Sequence, residues 1–573
     1  MLACTALVGC TNNDEPANNG SENGKQDAYV KVRLVMTDTA GSRSAEGGKY
    51  EVGEEYEQRI DINKTIFLFY NESGEYIASG HLTKPYNLSE NHGSNTNQGF
   101  NDKHGDAIIA LSAPDESILQ IKQVLTIANY SKTTDLENKP LSYALEQVAE
   151  NATDPAAAGT DENSAYLMST SAYFTKAANQ ENDVDGDLLC NTTKITEQNI
   201  KNTEKEALLD GVPVDIYIER AAAKVELLVN NATINKDNSL LAVAPSSENS
   251  GDANKDADIY LDNVLTPVNV QILGWSINNY NENTNLVKKF DDSWNHENSP
   301  LNNNYEWNYP EDFRSYYAMG TQWDYSGYVT VGENTSVNHP LTVKTFAEAT
   351  GNYNPMYCYE HTVETNNIVA DRTTAVAYPN VTTILVAGQI IPAKEGAVAQ
   401  TLYKYSGVFY TLDNYKKLIK SRLTTYKKSD GNFLQEEEWI VNVSTPTNGS
   451  VDAAFNVIVG VASGVTLAEE DALTEINKNI ETIAANTQVY TEGKCYYQIP
   501  IEHLSSTDNK KLYGVVRNHW YKLNITAVNH IGEPVYDIDN PIPTIPEKDI
   551  THYLAAKLHV LSWKVVNQGV VLE

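Results

Sequence analysis

The sequence predicts a mainly β fold, and three observations carry that expectation. Tyr is abundant at 35 residues against 10 Phe and 5 Met. Tyr, Thr and Val suit a pleated, half-buried surface, whereas the frequent Asn, Asp and Gly suit turns. The segment from Ala28 reads AYVKVRLVM, placing Val30, Val32, Leu34 and Met36 on one face and Lys31 and Arg33 on the other. That is the period-two alternation of a strand with one buried face. Short apolar runs then recur down the chain, separated by polar, Asn-rich loops at 230–258 and 278–310.

Length and charge narrow the function. A chain of 573 residues accommodates two to four domains at ~100–200 residues each, and 41% hydrophobic content suffices for a sizeable core. Acidic residues outnumber basic ones 76 to 42, for a formal net charge of -34. Such an excess argues against nucleic acid and against docking on anionic lipid through a basic surface. It speaks to solubility and says nothing of the fold.

The first residues read MLACTALVGC, followed at once by the polar TNNDEPANNGSENG. An apolar run ending in Leu7-Val8-Gly9-Cys10 resembles a bacterial lipobox, in which the Cys is acylated after the signal is cut and the polar stretch becomes a tether. The run is short and lacks a basic flank, so residues 1–10 read as a truncated lipoprotein signal. No later segment approaches the ~20 apolar residues a membrane helix needs. Cys4 and Cys10 fall in this leader, leaving Cys190, Cys358 and Cys495. An odd number cannot complete a disulfide framework, so at least one is expected as a buried free thiol.

The elements follow in order. After the first strand comes TDTAGSRSAEGGKYEVGEEYEQ, a polar linker far longer than the usual ~4–6 residues. It holds Arg43 before the small Ser44, an exposed target for an Arg-specific protease. Arg59 is the competitor, but it stands immediately before the next strand, at Ile60. Strands are expected at AIIAL from Ala107 and across SILQIKQVLTIANY from Ser117, with a helix at LSYALEQVAE from Leu141. DGVPVDIYIERAAAKVELLVN from Asp210 reads as two strands, and the domain boundary is placed near 220–255. TTAVAYPNVTTILVAGQIIP is strand-like, and helices are expected from Leu412 and from Glu469, where apolar residues recur at helical spacing. After a Pro-rich connector the chain ends in HYLAAKLHVLSWKVVNQGVVLE. Its apolar positions include Leu558, Val560, Trp563, Val565 and Val570. Terminal strands with no evident partner are an aggregation hazard unless they pair with something.

Over nearly its whole length the chain resembles the FimA/Mfa-type fimbrillins, the type V pilus subunits of Bacteroidia, and is more similar to the Mfa-type major subunit than to the shorter FimA type. The marks are the lipobox, the strand and the Arg-small pair. They continue with VLTIANY, YLMST near Met168, ERAAAKVEL, MYCYEHT, TTILVAGQI, GKCYYQIPI, YGVVRNHWYKLNI and the terminal LHVLSWKV. The resemblance implies two transthyretin-like β-sandwich domains with a few short helices. The segments become a propeptide with the first strand at 11–43, an N-terminal domain at 44–225, a C-terminal domain at 226–548 and donor strands at 549–573. It further implies a lipid on Cys10, a cut between Arg43 and Ser44 and release of the strand bearing Val30, Val32, Leu34 and Met36. A neighbour's terminal strand, with Leu558, Val560, Trp563 and Val565, would take its place. Implied partners are other fimbrial subunits, an Arg-specific protease, the outer membrane through the precursor's lipid, and a host or bacterial surface ligand. The implied location is a fimbrium on the cell surface.

No catalytic, cofactor or metal site is expected. Glu181, Asp183, Asp185 and Gly186 echo the start of a calcium loop, but Thr192 stands where the bidentate Glu is needed. Cys358 and His361 could form a thiol–imidazole pair, yet no third group accompanies them. HExxH, GxSxG and glycine-rich phosphate loops are absent. A surface carbohydrate-binding lipoprotein is the alternative reading, with Trp307 and Trp323 as sugar platforms; a glycosidase on a β-scaffold is more remote.

Overall fold

The computed structural model describes residues 25–35, 57, 59–82, 86–87, 107–149, 165–171, 173–174, 189–243, 258–290, 318–321, 341–362, 381–444, 455–505, 511–535, 537–542 and 564–572. The chain is mainly β, arranged in several sheets, as its composition predicts.

The first sheet opens with β1 (Lys25–Val35), β2 (Ile66–Tyr70) and β3 (Tyr76–His81). It continues with β4 (Ala107–Pro114), β5 (Gln123–Ala128), β6 (Met168–Thr170), β7 (Ile200–Lys201) and β8 (Val214–Arg220). Strand β2 is buried on both faces, so it reads as an unbroken apolar run, IFLFY. The predicted strand from Ser117 is corrected at its start: Asp115–Ile118 is a helical turn, and extended structure begins only at Gln123. Helix α1 (Leu141–Glu146) forms where expected but stops early, and Val148–Ala149 instead pairs with Thr284–Asn285. Helix α2 (Glu204–Asp210) starts at Thr203, whose hydroxyl accepts from the Glu206 amide.

At Ala221 the chain leaves β8 and enters β9 (Ala222–Val229). Side chains up to Ala222 pack into one apolar core, with Ile109, Leu125 and Ile216. From Ala223 to the end of β9 the buried apolar side chains pack into a second, with Ile272, Trp275, Val386 and Leu523. Around the second core stand β10 (Val264–Asn278), β11 (Met356–Tyr359) and β12 (Thr383–Pro392).

Between β12 and the strand that returns beside it lies a third core. Strands β13 (Leu402–Tyr405) and β14 (Val408–Tyr410) lead into helix α3 (Leu412–Ser421). A hairpin of β15 (Trp439–Ser444) and β16 (Asn456–Val461) follows, then helix α4 (Ala472–Ala485) and β17 (Thr487–Tyr490). Tyr415, Ile419, Trp439, Val459, Ile476 and Ile480 meet here. The helix spacing of Ile476, Ile480 and Ala484 produces the buried stripe. Strand β18 (Lys494–Pro500) then pairs antiparallel with β12, from Gln389 opposite Lys494 to Thr383 opposite Pro500. The two helices were legible in the sequence; that they and their strands form an insertion with its own core was not.

Finally β19 (His519–Val528) runs parallel to β9, and β20 (Lys564–Leu572) runs parallel to β19. Among the described residues no helix is long and apolar enough to cross a membrane.

Candidate strand-exchange interface

Strand β1 is an interior strand of the first sheet. On one side it pairs antiparallel with β4, from Lys25 opposite Pro114 to Val32 opposite Ala107. On the other it pairs antiparallel with β7 at Tyr29 and Val30. It then pairs parallel with β8, from Val32 opposite Val214 to Val35 opposite Tyr217. The alternation in its sequence sets which way the side chains face. Ala28, Val30, Val32 and Leu34 are all 0–1% exposed and join the first core. Arg33 points outward to Asp215, 3.4 Å away across the parallel register.

Removing β1 would leave β4 and β8 separated by one missing strand, about twice the ~4.8 Å strand spacing. The slot would be lined by unpaired main-chain groups and by the apolar side chains that now cover Val30, Val32 and Leu34. Burial of those three contributes roughly 5–9 kcal/mol at ~1.5–3 kcal/mol each. An incoming strand must repeat the alternation to recover it. Beside the slot lies an open depression of about 290 Å³ lined by Thr193, Lys194, Asn199, Pro213, Val214, Asp215 and Tyr217.

The chain that follows the linker is tied down at its first described residue. Glu57 is fully buried; its carbonyl accepts from Arg220 Nε at 2.7 Å and its carboxylate from Lys224 Nζ at 3.0 Å. The Tyr357 hydroxyl donates to the same carboxylate oxygen. Lys224 also lies 4.1 Å over the Trp520 ring. Arg59 is held as well: it pairs with Asn87, and its carbonyl accepts from Asn129 Nδ2 at 2.9 Å. Asn129, at φ 63°, also donates to the Tyr166 carbonyl and accepts from the Asp61 amide. The left-handed conformation suits Asn.

Around the passage from β8 to β9, buried charges link the two cores. Lys288 meets Glu219 at 3.1 Å, and Arg517 meets Glu360 at 3.3 Å while donating to the Asn285 carbonyl at 2.8 Å. Burial lowers the Lys288 ammonium pKa from its ordinary value, opposed by the charges of Glu219 and Glu360. Leu286 and Val287, from the chain after β10, belong to the first core. Sequence reasoning singled out Arg220 and Lys224 only as part of a motif and missed Glu57, because their partnership has no local periodicity.

At the other end of the molecule, β20 lies against β19, with His519 opposite Lys564 and Val528 opposite Leu572. The sequence offered no partner for the terminal strand; the fold supplies one in the same chain. Val565 lies on β20, opposite Trp520.

The remaining predicted positions divide into two groups. Cys4, Cys10, Met36, Arg43, Ser44, Leu558, Val560 and Trp563 lie outside the described residues. So do Glu181, Asp183, Asp185, Gly186, Trp307 and Trp323. Cys358 and His361 are described and do not form the considered pair. His361 Nδ1 meets the Thr382 hydroxyl at 2.8 Å, and burial lowers its pKa to about 4. Burial drives the Cys358 thiol far above its usual range, so it carries no thiolate. Cys190, Cys358 and Cys495 are all free thiols. Among the described residues no cluster of His, Cys, Asp and Glu could hold a metal ion.

Residues 488–569 match the family model for the major fimbrial subunit protein type IV, Fimbrillin, C-terminal. No curated protein matches the chain. Among solved structures, a cell adhesion protein described as putative, from Parabacteroides distasonis, is similar at 11% identity and TM-score 0.33, covering 96% of this chain and 99% of that one. A fimbrilin from Porphyromonas gingivalis is similar at 10% identity and TM-score 0.33, covering 95% of this chain and 97% of that one. The tip fimbrial protein Mfa3 of the same organism is similar at 11% identity and TM-score 0.27, covering 65% of this chain and 83% of that one.

Proposed function

We propose that this chain, whose C-terminal region is of the fimbrillin type, is a structural subunit of a cell-surface fimbria that polymerises by exchanging β1. The role is structural and not enzymatic, in keeping with that family. The observation that carries the reading is the position of β1, paired on both sides within a sheet yet joined to the next described segment through the linker that holds Arg43. An intact precursor has no open slot and cannot polymerise early. Proteolysis between Arg43 and Ser44 frees the strand, and a neighbour's terminal segment enters, adding main-chain hydrogen bonds and alternate apolar side chains. The contact is head-to-tail and does not close, so it builds a filament.

The anchoring of Glu57 and Arg59 favours Arg43 as the cut. Severing the chain after Arg59 would require opening its pairing with Asn87 and would detach Glu57 from Lys224. A cut at Arg43 leaves both in place. The donor is drawn from roughly His552 to Leu572. To act as donor, β20 must leave β19. In this reading the precursor is held at the outer membrane by a lipid on Cys10, and the chain divides into domains at 44–225 and 226–548; the change of core between Ala222 and Ala223 supports a division near that point. Other fimbrial subunits are the partners.

The test is limited trypsin digestion of the purified precursor beside Arg43→Ala, read by N-terminal mass analysis and electron microscopy. Ser44 as the new N-terminus, with filaments only when Arg43 is intact, is the expected result. A protein cut there that stays monomeric with and without partner subunits would sink the reading and bring carbohydrate binding forward.

A further inference from the structure

Helix α3 concentrates positive charge in a chain whose formal net charge is -34. Between Lys404 and Lys428 the sequence holds Lys416, Lys417, Lys420, Arg422 and Lys427, and Asp413 is the sole acidic residue of that stretch. The helix is fixed from below: Tyr415 and Ile419 are fully buried, and the Tyr415 hydroxyl meets Thr487 Oγ1 at 2.9 Å. Its outer side therefore cannot turn inward. Lys417 and Arg422 are exposed, with Lys416 and Lys420 half-buried beside them.

Lys416, Lys417 and Lys420 differ from their neighbours in having no side-chain partner among the described residues. Lys428 meets Glu438 at 2.9 Å, and Lys427 lies 4.9 Å over the Phe433 ring. Among the described residues Lys416, Lys417 and Lys420 form no ion pair or hydrogen bond through their ammonium groups. The helix dipole favours a cation in the last turn, which accounts for Lys420. It does not account for Lys416, which stands one turn before Lys420, where like charges destabilise a helix slightly.

The same inserted unit carries the complementary charge. Glu436 and Glu437 are exposed in the turn before β15, and Glu469, Glu470 and Asp471 are exposed before α4. We propose that the lysine face of α3 docks onto this acidic edge of a second copy of the chain. The contact is additional to strand exchange and independent of it. Copies that repel one another through their net charge are given one attractive patch, and a basic face meeting an acidic edge is a directional, head-to-tail contact. In a fibre it would set how neighbouring subunits or strands lie side by side.

The test uses the uncleaved full chain, so that strand exchange plays no part. Sedimentation velocity is compared at ionic strengths of about 10 mM and about 1 M, where the screening length is ~30 Å and ~3 Å. Wild-type protein should associate at low salt and dissociate at high salt. Lys416→Glu/Lys417→Glu/Lys420→Glu should weaken association at least tenfold, as should Glu436→Lys/Glu437→Lys/Glu469→Lys. Mixing the two variants should restore a salt-sensitive heterodimer, a result that misfolding of either cannot give. A wild-type chain that stays monomeric at low salt overturns the proposal, as does a lysine variant that associates like wild type. Retention on immobilised heparin that depends on the lysines, without self-association, would assign the face to an anionic polysaccharide instead.

Discussion

Glu57 and Lys224 form a buried ion pair, 3.0 Å apart, joining the segment just after the polar linker to the first strand of the second core. The Tyr357 hydroxyl and the Trp520 ring complete the surroundings of the two charges. Removing a charge from such a pair leaves its partner buried and uncompensated, at a cost of about 3–5 kcal/mol. Glu57→Ala should therefore lower the unfolding free energy by that amount, read as a lower urea midpoint at unchanged slope, without changing strand content. Glu57→Met/Lys224→Met should recover much of the loss, because burying neither charge removes the penalty. A double variant as unstable as the single one would show that the pair is incidental.

The second prediction concerns Val32, which is fully buried between β4 and β8. Val32→Asp places a carboxylate in the first core and should loosen β1 by several kcal/mol. Because β1 closes the slot, the uncleaved variant should expose it and associate without protease even at about 1 M salt, where charge-driven contacts are screened, whereas Lys31→Asp, on the other face, should stay monomeric there. Light scattering of the two uncleaved variants decides the matter. Monomeric behaviour of both would mean that loosening β1 does not open a usable slot.

A third prediction follows from buried imidazoles. His361 and His503 have pKa values lowered from 6.5 to about 4 and about 3, in both cases chiefly by burial, with the Lys288 charge adding to the shift at His503. The His503 ring meets the Tyr521 hydroxyl at 2.7 Å and packs edge-on against His519. In the unfolded chain both titrate near 6.5, so below that pH the unfolded state binds more protons and stability falls with pH. Their contribution is fully present above pH 6.5 and is lost as pH drops towards 4 and then 3. Each is worth on the order of 3–5 kcal/mol across its window. Urea midpoints at pH 7, 5.5 and 4.5 should decline, and His361→Gln should flatten the slope. An unchanged slope in that variant would remove His361 from the account.

The alternation of β1 could be read from its residues because a strand with one buried face writes its geometry into a period of two. The same holds for the helical spacing of α4, where Ile476 and Ile480 stand one turn apart. What the sequence could not disclose is long-range pairing. Gln389 faces Lys494 across an insertion with its own core, and β20 finds β19 through a parallel register that no local pattern encodes. The junction of Glu57, Arg220 and Lys224 is equally silent, since a buried charge looks like a surface charge until its partner is placed. The turn at Asp115–Ile118 was missed because a short apolar run carries no period that separates helix from strand.

The last prediction tests the long strand on which the second core is built. In β10 the register against β12 shifts between Ile272 and Gly274, and Gly274 sits at φ 150°. A Cβ there would lie 2.3 Å from the Ala349 carbonyl oxygen and 2.7 Å from the Gly351 nitrogen, both main-chain atoms that cannot move aside cheaply. The close approach is fixed by hydrogen bonds on either side: the Gly351 amide donates to the Leu273 carbonyl at 2.8 Å, and the Trp275 amide to the Asn352 carbonyl at 3.0 Å. Next to the shift stands Trp275, the largest fully buried side chain among the described residues. Gly274→Ala should therefore cost about 3 kcal/mol or more, combining backbone strain with the steric clash. Gly460→Ala, where nothing stands within 4 Å of the added carbon, should cost little. Thermal unfolding followed by Trp fluorescence would separate the two, and equal losses would show that the irregularity in β10 can relax.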